Sequence, residues 1–287
     1  MENKIIIYPK LPSKKYFIIR FMGSGLANCL FIYARAIILS NKYNAAIINP
    51  SWIQFNIGPY LRGEKDKRHY NGLFKSFGIK NVKKQWFLLT KKMFSETSDP
   101  HTIDKGIIRV DGLKNYFADL HFQSDVVKEH LLSIVNESAF NSYGNISTKF
   151  VGIHIRLGDY DIDSRTSFEW YLKIMDFIHL NCDSNIEFLV FSDGTADQLA
   201  DIINYPNTKL VFFGSAIADI LVLSKAQFII ASDSTFSAWG SYLGQVPILF
   251  QKRHFGRVLD NNEHEWVESE CSEDIIRSGI KKILNKK

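Results

Sequence analysis

The sequence predicts an α/β protein in which a parallel sheet is covered by helices on both faces. From residue 150 onward, short apolar segments alternate with segments whose apolar residues recur at helical spacing. The apolar segments lack the polar alternation of half-exposed strands, which is typical of parallel strands buried on both faces. Strands that alternate with helices build parallel sheets. A length of 287 residues favours two domains.

The second half of the chain supplies most of the predicted sheet. Strands are predicted at 150–156, 186–191, 209–213, 227–231 and 247–250, with helices between them at 168–180, 196–203, 216–226 and 235–243. Parallel sheets bind ligands at the carboxyl ends of their strands. This rule selects three segments as one cluster: 156–159, 192–194 and 232–237.

The first half is predicted as strand 16–21, a glycine-containing turn, helix 26–41 and a short strand at 45–48. Residues 50–100 are predicted to be irregular, followed by strand 107–113 and helix 121–135. The polar stretch 136–147 is the candidate domain boundary, giving domains 1–145 and 146–287 and allowing the final helix to pack back on the first domain.

Composition narrows the functional classes. Hydrophobic residues make up 46% of the chain and charged residues 23%, as in a soluble globular protein. The N-terminus lacks the apolar core of a signal peptide, and three scattered cysteines fit neither a disulfide framework nor a zinc site. A cytoplasmic protein is expected. The net charge of +5 favours an anionic substrate or peripheral contact with the inner membrane, and indicates no nucleic-acid partner.

The segment 151–160 is the most informative part of the sequence. In a strand, alternate side chains share a face, so His154 and Arg156 point the same way at the strand tip before Gly158 and Asp159. Arginine presents a permanently charged fork of donors that suits a pyrophosphate. The alternative is an Arg–Asp pair that only fixes the turn.

Two further strand ends carry candidate ligand-binding residues. Ser192 and Asp193 precede Gly194, and the carboxylate could hold a base or ribose, although turn chemistry alone also explains the triplet. The segment 233–237 joins a strand to a helix, where hydroxyl groups and free N–H groups can hold a diphosphate. Its alternative is an ordinary helix cap.

Gly25 and Asn28 lie between a predicted strand and helix in the first half. Glycine at such a position lets the backbone approach a phosphate at the helix N-terminus. The spacing matches no P-loop or dinucleotide motif, and a plain glycine turn remains the alternative. No metal site is predicted, because the acidic stretch 159–163 lacks the glycine and final glutamate of a calcium loop.

Four segments, in order, resemble the bacterial alpha-1,2-fucosyltransferase family. Ser24-Gly-Leu-Ala-Asn-Cys-Leu-Phe-Ile-Tyr-Ala34 is similar to the family's Gly-Gly-Leu-Gly-Asn-Gln-Leu-Phe-Gln-Tyr-Ala, and Asn115–Ala118 to its Gly-Tyr-Phe-Gln. His154–Asp159 resembles the His-x-Arg-Arg-x-Asp signature. Residues 219–240 resemble an Asp-Leu-x-Leu-Met-Ser helix followed by Asn-Ser-Ser-Phe-Ser-Trp-Trp-Gly.

The resemblance implies a GT-B fold, two Rossmann-like domains facing a cleft, with the acceptor on the first domain and the GDP-sugar on the second. It implies metal-independent, inverting transfer of L-fucose from GDP-fucose to an oligosaccharide or lipid-linked glycan in surface polysaccharide or lipopolysaccharide synthesis, with alpha-1,2 linkage. The catalytic residues implied are Arg156 and Asp159, with no general base assigned. The donor-binding residues implied are His154, Arg156, Ser192, Asp193, Ser234, Thr235, Phe236, Ser237, Gly25 and Asn28.

The sequence also departs from the family pattern. Leu157 replaces the second signature arginine, Gly194 an acid, and Asp233 an asparagine, while Ala27 and Cys29 replace Gly and Gln. Losing a cation and gaining a carboxylate both weaken binding of a diphosphate. Two alternatives follow: a transferase for another GDP-deoxysugar, and a catalytically inactive nucleotide-sugar-binding protein.

Overall fold

The computed structural model describes residues 5–13, 15–16, 20–61, 63, 66–98, 103, 105–140, 149–158, 165–182 and 185–285. The chain divides into two compact units, one formed by Met1–Tyr60 and Lys67–Ala139 and the other by Leu61–Asp66 and Phe140–Lys287. The expected boundary at 145/146 lies outside the described residues.

The described elements alternate along the chain. The strands are β1 (Ile5–Pro9), β2 (Lys15–Tyr16), β3 (Arg20–Phe21), β4 (Ala46–Ile47), β5 (Gln54–Phe55), β6 (Met93–Ser95), β7 (Gly106–Val110), β8 (Phe150–Ile155), β9 (Glu187–Ser192), β10 (Thr208–Val211), β11 (Phe228–Ala231), β12 (Ile248–Phe250) and β13 (Glu265–Val267). The α-helices are α1 (Leu26–Lys42), α2 (Gly58–Leu61), α3 (Asn81–Thr90), α4 (Ser124–Ile134), α5 (Phe168–Asn181), α6 (Ala200–Ile203), α7 (Ala216–Leu223), α8 (Thr235–Gly244) and α9 (Glu273–Leu284).

The first unit is built on a parallel sheet of strand order β4-β1-β7-β6. Its second strand in space, β1, is not among the predicted strands. The predicted strand at 16–21 contains instead the short β2 and β3, which form a separate three-stranded sheet with β5. The stretch 50–100, expected to be irregular, contains the ten-residue helix α3. Helices α1 and α4 confirm the predictions at 26–41 and 121–135.

The second unit contains a six-stranded sheet of order β10-β9-β8-β11-β12-β13, parallel throughout. The five strands predicted from residue 150 onward are confirmed to within a few residues. Because β9 lies on one side of β8 and β11 on the other, the strand order reverses between β8 and β11. Such a switch point leaves a crevice at the carboxyl ends of the two strands.

Helix α9 packs within the second unit, where the sequence analysis had also allowed contact with the first domain. Ile276, Ile280 and Leu284 join the core formed with α5 and the sheet. Across the described helices, none is both long enough and apolar enough to cross a bilayer.

Candidate active site

Arg156 lies directly after β8, at the switch point of the second sheet. Its Nη1 atom is 2.7 Å from Oδ2 of Asp193, and its side chain is 19% exposed. Asp193 follows β9, the neighbour of β8, so sheet adjacency brings the two side chains together. The guanidinium is therefore held by a carboxylate while it remains accessible from outside.

Asp193 also fixes the turn that carries Arg156. Its Oδ1 accepts the N–H of Leu157 at 2.9 Å, and its Oδ2 accepts the N–H of Gly158 at 3.2 Å. Arg156 is thus paired with Asp193, whereas the pair considered from sequence was with the aspartate of its own turn. Asp159, predicted to be catalytic, lies outside the described residues. Both carboxylate oxygens of Asp193 accept N–H groups of this turn. A contact between Asp193 and a base or ribose stays a prediction.

His154 precedes Arg156 on β8 and is almost wholly buried. Its ring stacks on Phe236, with ring centroids 4.9 Å apart and planes 20° from parallel. Burial, and to a smaller extent the Arg156 charge, lower the pKa of His154 from 6.5 to about 3. The imidazole is consequently neutral at physiological pH and shapes the site without charging it.

Ser232, directly after β11, joins the two sides of the switch point. Its hydroxyl accepts the N–H of Arg156 at 3.2 Å and lies 3.3 Å from Nδ1 of His154. The strand-end rule selected this serine, but nothing in the sequence indicated its partners. Tyr171 was not singled out from sequence, yet its buried hydroxyl donates to the carbonyl of His154 at 3.1 Å.

The N-terminus of α8 forms the other wall of the cluster. Ser234 is the N-cap, accepting the N–H of Phe236 at 3.3 Å, and Ser237 donates to the carbonyl of Ser234 at 3.1 Å. The helix-cap interpretation is therefore confirmed for Ser234. Thr235 opens the helix, and its first turn carries no acidic residue. This end of α8 presents the positive end of its dipole to the site.

Asp233 places a carboxylate just before α8, where the family has asparagine. Its Oδ1 accepts the backbone N–H of His254 at 3.0 Å and lies 2.8 Å from Nδ1 of the same residue. The carboxylate therefore anchors the loop that follows β12.

Ser192 has a structural role in the turn. Its hydroxyl donates to the carbonyl of Ile155 at 2.7 Å and accepts the N–H of Gly194 at 3.0 Å. These bonds tie the ends of β8 and β9 together, and the predicted donor contact of Ser192 stays a prediction.

Two departures from the family pattern meet at one contact. Leu157 is a buried core residue, and a Cβ built on Gly194 would lie 2.7 Å from its Cδ1. Leu157 and Gly194 therefore lie next to each other, at the two positions where the family has an arginine and an acidic residue.

Gly25 and Asn28 belong to the first unit, whereas the other described candidates belong to the second. Gly25 is the N-cap of α1, and its carbonyl accepts the N–H of Asn28 at 3.2 Å. Its φ is −57°, and a Cβ built there would meet no atom within 4 Å. Neither backbone conformation nor internal packing requires glycine at this position.

The first unit has its own switch point, because β4 and β7 flank β1 on opposite sides. A cavity of about 360 Å³ opens there. Its lining comes from the segments after β1 and β7 and from the start of α1: Lys10, Leu11, Pro12, Ser13, Ser24, Ile32, Asp111, Gly112 and Leu113. This cavity was not predicted, although β7 was, because β1 was missed.

Within the described part of the chain, no group of three or more His, Cys, Asp or Glu side chains is arranged to hold a metal ion. The acidic stretch 159–163 lies outside it. The positive charge at the second switch point comes from Arg156 and the α8 N-terminus.

A model of the family described as Glycosyl transferase family 11 matches residues 101–248, just over half of the chain. The chain belongs to glycosyl transferase family 11. This is the alpha-1,2-fucosyltransferase family, so the resemblance inferred from sequence is confirmed and the protein is a fucosyltransferase of that family. Among curated proteins, none matches the chain.

Solved structures support the fold of this family 11 member. Fucosyltransferase NodZ from Bradyrhizobium matches with a TM-score of 0.53 and 14% identity over 86% of this chain and 95% of that chain. NodZ alpha-1,6-fucosyltransferase co-crystallised with GDP matches with a TM-score of 0.54 and 13% identity, over 86% of this chain and 94% of that chain. An Arabidopsis thaliana FUT1 variant in complex with GDP has a TM-score of 0.49 and 13% identity, over 92% of this chain and 73% of that chain. At these identities the NodZ matches show the fold alone, which is the predicted GT-B class of α/β fold.

Two of the family-like segments pack directly on each other in the first unit. Phe31 of α1 contacts Phe117 edge-on, with ring centroids 4.8 Å apart, and Tyr116 at 5.5 Å. Phe31 and Phe117 are fully buried. The Asn115–Ala118 segment of this family 11 chain therefore positions α1, whose N-terminus carries Gly25 and Asn28.

Proposed function

We propose that this family 11 protein transfers L-fucose from GDP-fucose to a hydroxyl group of a glycan acceptor, with inversion and alpha-1,2 linkage. The observation that carries the proposal is the placement of Arg156. It follows β8 at a topological switch point, beside the end of β11 that leads into the N-terminus of α8, and is held by Asp193. That arrangement is suited to the diphosphate of a nucleotide sugar.

The chemistry asked of this site is stabilisation of a leaving group. As the bond from fucose to phosphate breaks, negative charge develops on GDP, and the sugar becomes oxocarbenium-like while the acceptor oxygen attacks the opposite face. Arg156 and the N–H groups of the first turn of α8 supply preorganised positive charge at that point. Asp193 sets the position of the guanidinium.

Neutral His154 contributes shape and not charge. Its stacking on Phe236 closes one side of the crevice, and its lowered pKa removes it as a cation that would compete with Arg156. The general base that accepts the acceptor proton is not assigned to any described residue.

The acceptor is proposed to bind in the cavity of the first unit, at the carboxyl ends of β1 and β7. Lys10, Ser24 and Asp111 give that cavity both hydrogen-bond donors and acceptors, as sugar hydroxyl groups require. Open space above Gly25 leaves the α1 N-terminus approachable. Synthesis of a surface glycan on a lipid-linked acceptor, in the cytoplasm at the inner membrane, is the biological setting proposed.

The test is calorimetric titration of GDP and GDP-fucose, in the presence of EDTA, into the wild-type protein and the Arg156→Ala variant. Binding that survives chelation and falls at least about a hundredfold in the variant supports a metal-independent donor site at Arg156. Arg277→Ala is the matched control, because Arg277 also pairs with a carboxylate, Glu273, in the same unit. Equal binding by wild type and Arg156→Ala would contradict the proposal.

Donor identity needs a separate experiment. Turnover of GDP-fucose beside other GDP-deoxysugars, with a panel of soluble galactosides, separates fucose transfer from the use of another donor. Product linkage by nuclear magnetic resonance then tests the alpha-1,2 assignment.

A further inference from the structure

Helix α3 of the first unit has an apolar stripe on its solvent side. Val82, Trp86 and Leu89 recur at i, i+4 and i+7, which places them along one face of the helix. Their exposed fractions are 82%, 56% and 85%. Phe87 and Leu88 pack on the opposite side, against the core formed by β1 and β7. Thus the stripe is not the face that the fold buries.

A helix on the surface of a globular unit normally turns polar residues to solvent. Here the outward face combines a tryptophan, a leucine and a valine, a composition typical of helices that lie at a membrane surface. Tryptophan favours the headgroup region, where its ring is in an apolar setting and its N–H remains hydrated. Contiguous exposed apolar residues of this kind mark an interaction surface.

The charge of the segment that contains α3 indicates which kind of surface the stripe contacts. Between Leu73 and Ser95 the chain carries six lysines and no Asp or Glu. Lys75, Lys80, Lys83 and Lys92 are exposed, and Lys91 is partly so. Lys83 and Lys91 lie over the Phe87 ring at 5.6 and 4.8 Å, so both flank α3 beside the face that packs on the core. A segment that carries six lysines and no acidic residue between Leu73 and Ser95 complements an anionic bilayer.

Lys84 shows that the lysines are not interchangeable. It is buried, and its Nζ donates to the carbonyl of Asn49 at 2.7 Å and to Ser51 at 2.8 Å. These bonds fasten α3 to the unit, so the helix is a fixed part of the fold and presents its stripe as a rigid surface.

We propose that the outer face of α3, formed by Val82, Trp86 and Leu89 with the surrounding lysines, docks this protein on an anionic phospholipid surface. The stripe enters the headgroup region while the lysines contact lipid phosphates. The inference rests on the proposed function only in that a lipid-linked acceptor would lie in the same membrane. Vesicle binding itself needs neither donor nor acceptor.

The experiment is flotation of the full-length protein with vesicles of phosphatidylcholine alone or mixed equally with phosphatidylglycerol, at low and high salt. Wild-type protein is expected to float with the anionic vesicles, less so at high salt, and to leave the neutral vesicles largely unbound. Leu89→Gln should weaken binding about tenfold, because the buried apolar contact is lost. Leu180→Gln is the matched control: Leu180 is 80% exposed on α5 of the second unit, and its replacement should leave binding unchanged.

A second pair of variants tests the charge. Replacing Lys83 and Lys92 with Gln should weaken binding to anionic vesicles several-fold, whereas replacing Lys281 and Lys282 on α9 with Gln should not, although both pairs remove the same charge. Equal binding by both members of either pair would overturn the proposal, as would a wild-type protein that stays with the unbound fraction.

Two other occupants of the stripe are distinguished by the same variants. Sedimentation velocity that shows a wild-type dimer lost in Leu89→Gln would assign the stripe to a second copy and overturn membrane docking. A raised KM of Leu89→Gln for a water-soluble acceptor, without vesicle binding by wild type, would assign it to the glycan. GDP titration of the same samples tests the donor site separately, so failure of one proposal leaves the other measurable.

Discussion

Arg20 and Arg156 show two opposite ways of using a guanidinium in the same chain. Arg20 is completely buried in the first unit and donates to main-chain carbonyls of Pro12, Ser51 and Trp52 at 2.6–2.8 Å. Arg156 reaches the surface at a strand end and pairs with the carboxylate of Asp193 at 2.7 Å. Carbonyls from two segments hold Arg20 inside the fold, whereas the carboxylate of Asp193 holds Arg156 where it reaches the surface.

The packing around Arg20 supports this difference between the two arginines. A Cβ built on Gly23 would lie 2.2 Å from Gln54 Oε1 and 2.9 Å from Arg20 Nη1, so the chain closes tightly over the buried guanidinium. Burial raises the pKa of the Cys29 thiol beside Arg20, and the arginine opposes this shift only in part. Arg20 thus serves the structure of the first unit, and Arg156 has the accessibility that ligand binding requires.

The largest expected effect is on the stability of the first unit. Arg20→Met would leave three buried carbonyls without donors, and loss of one partner from such a buried network costs about 3–5 kcal/mol. Arg156→Met should cost only about 1 kcal/mol, because Asp193 keeps the N–H groups of Leu157 and Gly158 and the site is partly solvated. Urea unfolding of both variants measures the contrast. Equal losses of unfolding free energy would show that Arg156 is also a structural arginine.

Asp193→Asn tests how Arg156 is held. The amide removes the charge that positions the guanidinium and turns an N–H₂ group toward one of two backbone donors. A misplaced catalytic contact of this kind lowers kcat/KM about a hundredfold. Steady-state kinetics should show both a higher KM for the donor and a lower kcat. Asp176→Asn, which alters a carboxylate bonded to Tyr205 in the same unit, is the control and should keep wild-type kinetics. If Asp193→Asn had the same kcat/KM as the wild-type protein, Asp193 would not be needed to position Arg156.

Gly194→Ala tests the turn beside Arg156 by crowding it. The new methyl group would meet Cδ1 of Leu157, and overpacking a closed site costs about 1–3 kcal/mol. Adding Leu157→Ala should recover part of this loss, because the shorter side chain makes room. A double-mutant cycle by thermal or urea unfolding measures the coupling. Additive effects of the two substitutions would mean that Leu157 and Gly194 do not share a constraint.

The sequence predicted the second unit better than the first for a physical reason. Its central strands β8, β11 and β12 are buried along their whole length, so they are largely apolar segments with clear ends. In contrast, β1 is only five residues long and ends in Pro9, a residue disfavoured within sheets. Helix α3 carries apolar residues on opposite faces, which hides the helical period.

The same difference applies to the candidate site. The strand-end rule selected Arg156, Asp193 and the segment before α8, because sheet topology alone brings such residues to one edge. It could not predict that Asp193 would hold Arg156, since that contact depends on β8 and β9 being neighbours. Nor could it predict the burial of Arg20, which depends on carbonyls from two separate segments, residue 12 and residues 51–52.

Near neutral pH, the smallest expected effect is a pH dependence that separates the two arginine sites. The folded-state pKa of His154 is lowered from 6.5 to about 3, so below pH 6.5 the unfolded chain binds a proton that the folded chain does not. The stabilisation is fully present above pH 6.5 and is lost as the pH falls toward about 3. Its slope is at most about 1.4 kcal/mol per pH unit. Unfolding free energies measured across this window should follow that slope in wild type and lose it in His154→Asn.

The two arginine variants are the controls for this measurement. Arg156→Met should end the pH dependence at a slightly higher pH, because the arginine charge adds to burial in lowering the pKa of His154. Arg20→Met should leave the slope unchanged, since Cys29, the titratable group in contact with Arg20, has its pKa raised from 9.0 and does not titrate in this window. A slope that disappears with Arg20→Met and persists with His154→Asn would reverse the assignment of the two arginines.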